Sequence, residues 1–350
     1  MYIAIAIIAF GILIGVHELG HFVTAKLFNI KVNEFSLGMG PTVFKKQRGE
    51  TLYSLRCLPI GGFCAIEGED GDSEEECAFT AKPIWMRTVV LLAGSLSNFI
   101  IGFIIALVLN IAPYATPPVI TGFMDGFPLQ GESGLVEGDR IVSLGGRHIN
   151  TYNEFTLFLS LENNRPVDLT VRRDGRLVEL TDLPLILRDY TDENGNTVSR
   201  YGLFFSSEKL DLPGIIKNTW YDCMYFVKLV RYSLGALING TAGLKDLSGP
   251  VGVVSAINDV GRQASGVGAG LLQVFYFISF IAVNLALMNM LPLPALDGGR
   301  IFFMFVFALI ELIIRRRPDR RIEGYIHAAG LVLLLGLMAY VMLNDIIKLF

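Results

Sequence analysis

The amino-acid sequence predicts a polytopic α-helical membrane protein with four transmembrane helices. It also predicts a membrane-associated β-hairpin region after the first helix and a soluble α+β domain inserted between the second and third. Three observations carry that expectation. The 350 residues are 52% hydrophobic and only 18% charged, with a mean hydropathy of +0.51, too apolar for an ordinary soluble enzyme. Four stretches are long and apolar enough to cross a hydrocarbon core about 30 Å thick. The stretch 113–206, by contrast, is soluble in composition.

The first span, Met1 to Phe28, is interrupted by His17-Glu18-Leu19-Gly20-His21. Two histidines four apart share one helix face, so both imidazoles can reach one metal ion while Glu18 stands beside its bound water. This is the H-E-x-x-H pattern of zinc hydrolases, which in a soluble helix can also be an ordinary polar face. Here every residue from Ile3 to Val16 is apolar or glycine. Ionisable groups in such a span are costly and mark a protein interior or a wet cavity, so a zinc site is expected. The N-terminus lacks the basic start of a signal peptide and its apolar run is too long for one, so the segment is expected to be retained.

The segment from Asn29 to Arg87 contains Phe35–Pro41, Leu52–Leu55 and Leu58–Ile66, whose alternation with Gly and Pro reads as strands and tight turns. The pair Gly61-Gly62 is either a turn or a place where another chain approaches the backbone closely. Glu67 to Glu76 reads as an acidic, solvated loop. In the second span, about Thr88 to Ile111, the small residues Gly94 and Ser97 suit close helix packing. Asn98 needs a partner there, either a neighbouring helix or a substrate backbone.

Within 113–206 a helix is expected at Thr151–Leu161, with strands Val167–Arg173 and Leu177–Leu180 around the turn Asp174-Gly175. Asn194-Gly195 suggests a second hairpin. The run Gly134-Leu135-x-x-Gly138-Asp139-x-Ile141 resembles that of a PDZ domain. The resemblance implies capture of an extended peptide by strand addition; a spacer without a ligand is the alternative. Leu212–Gly240 carries Lys217, Asp222, Lys228 and Arg231, which favours a helix lying on the membrane surface. Ser248-Gly249-Pro250 breaks the chain. The third span, about Leu271–Leu291, leads into Asn289–Arg300, and the last covers about Ile326–Leu343. His327, near the start of that last span, reads as a packed or interfacial residue and not a ligand. Cys57, Cys64, Cys77 and Cys223 show no C-x-x-C spacing and read as free thiols.

Basic residues set the expected topology. Lys31, Lys45, Lys46 and Arg48 follow the first span, and Arg315, Arg316, Arg317, Arg320 and Arg321 precede the last, so both loops are expected in the cytoplasm. The inserted domain is then extracytoplasmic. His17 lies about 24 Å along the first helix, toward the cytoplasmic side, and Asp297 emerges at the same depth. The expected organisation is a protease core in two parts, 1–112 and 271–350, around the inserted domain 113–206 and a surface helix and loop at 207–270. Net charge is −4 and no basic cluster is interleaved with aromatics, so nucleic acid is not an expected partner.

Together, His17-Glu18-x-x-His21, Gly94-x-x-x-Asn98, Pro59-x-Gly61-Gly62, Ser248-Gly249-Pro250 and Asn289-x-x-Pro292-x-Pro294-x-Leu296-Asp297-Gly298-Gly299 resemble the site-2 protease family of intramembrane zinc metalloproteases. The likeness covers nearly the whole chain, and one PDZ-like domain between spans two and three resembles the bacterial regulator-of-sigma-E branch. It implies Zn2+ held by His17, His21 and Asp297, with Glu18 as catalytic base. It also implies substrate contacts at Gly61, Gly62, Phe63, Asn98 and Asn289. Implied substrates are transmembrane segments of anti-sigma factor type or remnant signal peptides in the plasma membrane of a bacterium, and an upstream protease that shortens them fits as a partner. The chain departs from many relatives in carrying Ser95 in place of proline, and from some in having one PDZ-like unit instead of two. Two alternatives compete with this reading. One is a zinc endopeptidase acting on lipidated or soluble C-termini, and the other a non-enzymatic membrane scaffold that recruits peptides through its PDZ-like domain. The intact Glu18 argues against the scaffold.

Overall fold

A computed structural model describes every residue except 70, 72, 112–113, 192–196, 206, 265, 316–319 and 350. The expected Asn194-Gly195 hairpin, Asp70 and Asp72 of the acidic run, and Arg316 and Arg317 of the basic loop lie outside the described residues. So do the side chains of Pro59, Arg320 and Arg321. Eight α-helices are present among the described residues: α1 (Tyr2–Leu27), α2 (Ile84–Ile111), α3 (Tyr152–Leu161), α4 (Leu212–Ile238), α5 (Pro250–Gln263), α6 (Val267–Asn289), α7 (Asp297–Ile314) and α8 (Arg320–Leu349). Four of them are long and apolar enough to cross a membrane, namely α1, α2, α6 and residues Gly324–Lys348 of α8. The chain divides into two compact units, Met1–Ala106 with Val230–Phe350, and Leu107–Leu229.

In the first unit α1 is followed by two long strands, β1 (Val32–Arg48) and β2 (Thr51–Ile66), which pair as an extended hairpin. Gly38 and Gly40, both at φ +85, bend β1, because only glycine takes that backbone conformation without strain. The bend doubles the hairpin over. Glu34–Leu37 is paired with Leu52–Leu55 on one side and with Gly62–Ala65 on the other. Residues 62–66 pair only with β1 among the described residues, so they form an open strand edge.

Apolar side chains of α1 (Ala6, Leu13), α5 (Ile257) and α6 (Val274, Ile278, Ile281, Ala282) make one buried cluster. Ala25, Ile30, Val32, Ile66, Phe79, Val90 and Leu91 make a second, which seats the hairpin on α1 and α2. Helices α2 and α6 also meet through a polar contact, the Ser279 hydroxyl donating to the Gly102 carbonyl at 2.7 Å. Such a bond is valuable where lipid offers no competing partner. The break at Ser248-Gly249-Pro250 is the start of α5. Asp345 of α8 accepts from the Gly249 and Gly252 N–H groups at 2.9 and 2.8 Å, capping that helix from a distant segment.

In the second unit a four-stranded antiparallel sheet runs in the order 147–148, 140–144, 167–173, 176–183. Ile141, Leu144, Leu169 and Val171 of the sheet and Phe155, Phe158 and Leu159 of α3 are buried. Thr151 caps α3 by accepting from the Glu154 N–H. The Gly138-Asp139 turn has a structural purpose, because Asp139 is fully buried and takes two bonds from Arg173, at 2.8 and 2.7 Å. Asp222 of α4 accepts from Asn110 at 2.9 Å. Burial nevertheless pushes its carboxyl up to about 6, the hydrogen bond opposing the rise.

Candidate active site

The helical period of α1 puts His17 and His21 on one buried face, their Nε2 atoms 3.2 Å apart. Asp297, the first residue of α7, brings its Oδ2 to 3.1 Å from His17 Nε2 and 3.4 Å from His21 Nε2. The donor atoms of the three residues all lie within 4.8 Å of one another. His21 Nδ1 is 2.8 Å from the Val90 carbonyl. A carbonyl can only accept, so Nδ1 carries a proton, and in the neutral ring Nε2 then turns its lone pair toward the other two groups. Asp297 Oδ2 is buried and accepts no hydrogen bond of ordinary geometry. A buried oxygen in that position, facing an imidazole lone pair, is costly without a cation between them. Two imidazole nitrogens and one carboxylate oxygen form a donor set that suits zinc and leaves a fourth position open.

Space for the imidazoles comes from α2. A Cβ on Gly94 would lie 2.3 Å from His21 Nε2 and 2.8 Å from His17 Cε1. This glycine, expected as a helix-packing residue, packs against the two histidine rings. On the third side the Asp297 turn is wrapped tightly by its own chain, since a Cβ on Gly299 would lie 1.9 Å from the Leu293 carbonyl oxygen. Arg300, one turn further along α7, pairs with Glu69 just beyond β2.

Glu18 stands between the His17 and His21 face of α1 and β2. Gly62 lies against its side chain, a Cβ there falling 3.6 Å from Glu18 Cγ. Of the other expected substrate contacts, the Asn289 amide at the end of α6 comes within 3.5 Å of His17 Nδ1. Asn98, one turn after Gly94, is buried with its Oδ1 lacking a hydrogen-bond partner. Gly61 sits at the bend of β2 against Met39, and Phe63 lies under the Arg56 guanidinium at 4.8 Å. His17, Glu18, His21, Asp297, Asn289 and Gly62 therefore meet at one locus. Sequence reasoning missed Val90, whose contribution is a backbone carbonyl and leaves no side-chain signal.

A family model described as Peptidase family M50 matches residues 5–337. A candidate zinc metalloprotease of Clostridium perfringens is 36% identical over 350 residues, covering 99% of each chain. The Regulator of sigma-W protease RasP of Bacillus subtilis is 27% identical over 438 residues, covering 98% of each chain. The metalloprotease MmpA of Caulobacter vibrioides is 26% identical over 373 residues, covering 96% of this chain and 92% of its own. The matched residues run from α1 through the Asp297 turn into α8 and take in every side chain at the locus just described; the chain belongs to peptidase family M50, the site-2 protease family.

Proposed function

We propose that this protein is a membrane-embedded zinc endopeptidase that cuts the transmembrane segments of single-span membrane proteins, with anti-sigma factors and remnant signal peptides as the substrate class. The observation that carries the reading is the convergence of His17, His21 and Asp297, from helices far apart in sequence, around a buried carboxylate oxygen that accepts no hydrogen bond of ordinary geometry. Those three residues would hold the zinc. When bound, zinc supplies Lewis-acid polarisation of the scissile carbonyl and acidifies water toward a pKa of about 7.

The chain's own groups do the rest. Glu18 takes the proton of the attacking water and returns it to the leaving amine. Its packing under Gly62 helps to hold the carboxylate in one place. A helical substrate hides its carbonyls in its own hydrogen bonds and must unwind to react. The open edge at 62–66, with Gly62 and Phe63, can take the freed backbone as an added strand, while Asn98 and Asn289 bond further groups of it.

The protease core is formed by 1–112 and 271–350, and 207–270 lies at the membrane surface. Residues 113–206 form an extracytoplasmic PDZ-like domain that filters substrates by size after an upstream protease has shortened them. The active site faces the cytoplasmic side of a bacterial plasma membrane. Lys31, Lys45, Lys46 and Arg48 just after α1 support that orientation. The Bacillus subtilis relative is named a regulator of sigma-W, which fits a substrate that acts in sigma-factor control.

The test is a pair of purified variants assayed for zinc content and cleavage of a transmembrane substrate. Glu18→Gln is expected to retain zinc and lose hydrolysis, and Asp297→Ala to lose both. Near-normal turnover by Glu18→Gln overturns its assignment as base, and full zinc occupancy in Asp297→Ala overturns the ligand set.

A further inference from the structure

We infer that His327, in the last membrane-spanning helix, is a positioning residue that holds the turn presenting Asp297; the inference rests on the metal-centre reading above. Ala295, two residues before Asp297, has φ +74, a left-handed conformation that an L side chain rarely adopts and that glycine alone takes freely. Something outside the turn has to hold it there. The Ala295 N–H donates to His327 Nδ1 at 3.1 Å.

Two further contacts fix the same arrangement. Gly330, one turn along α8 and on the same face as His327, is pressed against the neighbouring residue of the turn. A Cβ there would lie 2.2 Å from Pro294 Cβ and 3.0 Å from its carbonyl carbon and oxygen. Phe303 of α7 packs edge-on against the His327 ring at 5.6 Å, so the imidazole is braced by the helix that Asp297 begins. Because Nδ1 accepts, the ring is neutral with its proton on Nε2.

The consequence for the metal centre is geometric. Without the acceptor, Ala295 relaxes toward negative φ, the chain beyond it swings, and Asp297 Oδ2 leaves its place 3.1 and 3.4 Å from the two imidazoles. His327 touches neither substrate nor metal in this account. It acts through the backbone, as the outer partners of metal ligands do.

The test uses the full chain in detergent, reading zinc affinity by competition with a chromophoric chelator and kcat and KM on a transmembrane peptide. His327→Ala is expected to weaken zinc binding about tenfold and to lower kcat with little change in KM. His327→Asn, whose Oδ1 falls near the position of Nδ1, is expected to stay close to wild type. Ala295→Gly placed in the His327→Ala background is expected to restore most of the lost zinc affinity, since glycine holds positive φ unaided. A histidine that merely packed in α8 would not be rescued in that way. Failure of Ala295→Gly to rescue overturns the inference, as does zinc bound equally tightly by wild type and His327→Ala. A wild-type chain that binds no zinc overturns the metal-centre reading and this inference with it.

Discussion

Replacing Gly94 by alanine is the sharpest steric test of the metal centre. The added Cβ would lie 2.3 Å from His21 Nε2, whereas ordinary contact begins near 3.4 Å, so the ring must retreat by 3.4 − 2.3 = 1.1 Å. It cannot do so freely, because its Nδ1 is bonded at 2.8 Å to Val90 on the same helix as the new methyl group. A retreat directed away from α2 lengthens that bond by up to the same amount, to 3.9 Å, beyond the reach of a hydrogen bond. A displacement of about 1 Å at a reactive site costs on the order of 100-fold, equivalent to about 2.7 kcal/mol. Zinc affinity should fall by roughly that factor, measured by chelator competition on the purified protein. The control is Gly102→Ala, whose Cβ would meet Val283 and the Ser279 carbonyl between α2 and α6. That change should lower thermal stability and leave zinc affinity alone. Wild-type zinc binding by folded Gly94→Ala would refute the reasoning.

Two further predictions concern the second unit. Asp139→Ala leaves Arg173 without its carboxylate partner and should destabilise the unit by about 3–5 kcal/mol, seen as earlier thermal unfolding and faster proteolysis of residues 107–229; unchanged melting would count against a structural ion pair. Asp222, with its carboxyl pushed by burial up to about 6 from an ordinary 3.8, keeps its proton in the folded state while the unfolded chain loses its own. Stability should therefore be greatest below pH 4 on this account and fall as pH rises toward 6, by (6 − 3.8) × 1.36, about 3 kcal/mol. Asp222→Asn should remove that slope, and thermal melts at pH 4 and pH 7 that fall equally in wild type and variant would contradict it.

The four spans were legible because their apolar runs are long, and the H-E-x-x-H pair because ionisable groups inside such a run have few bland explanations. The strands at 32–66 were legible as strands, but their doubling over was not. It depends on the bend at Gly38 and Gly40 and on pairing between residues whose adjacency no period reveals. Helices α5 and α7 went unread for different reasons. The first is started by a carboxylate 95 residues away, Asp345 acting on Pro250's helix (345 − 250). The second opens on two glycines that resemble a loop, and holds Asp297, Arg300 and Glu311 in 18 residues. Sequence reads His327 as a packed or interfacial residue, and its bond to Ala295 is a side-chain-to-backbone contact between distant segments, which composition and spacing do not encode.

The separation of the three converging groups along the chain bears on how the protein is made. His21 and Asp297 are 297 − 21 = 276 residues apart. At about 5–20 residues per second, the ribosome needs roughly 15–55 s to bring the carboxylate out after the histidines. Throughout that interval α1 can already sit in a bilayer crowded with apolar helices while its peptidase chemistry lacks a required part. If Asp297 is the third ligand as proposed, a nascent chain, or one cut short before Asp297, is inert toward its neighbours, and activity switches on only when about the last sixth of synthesis delivers α7 to α1.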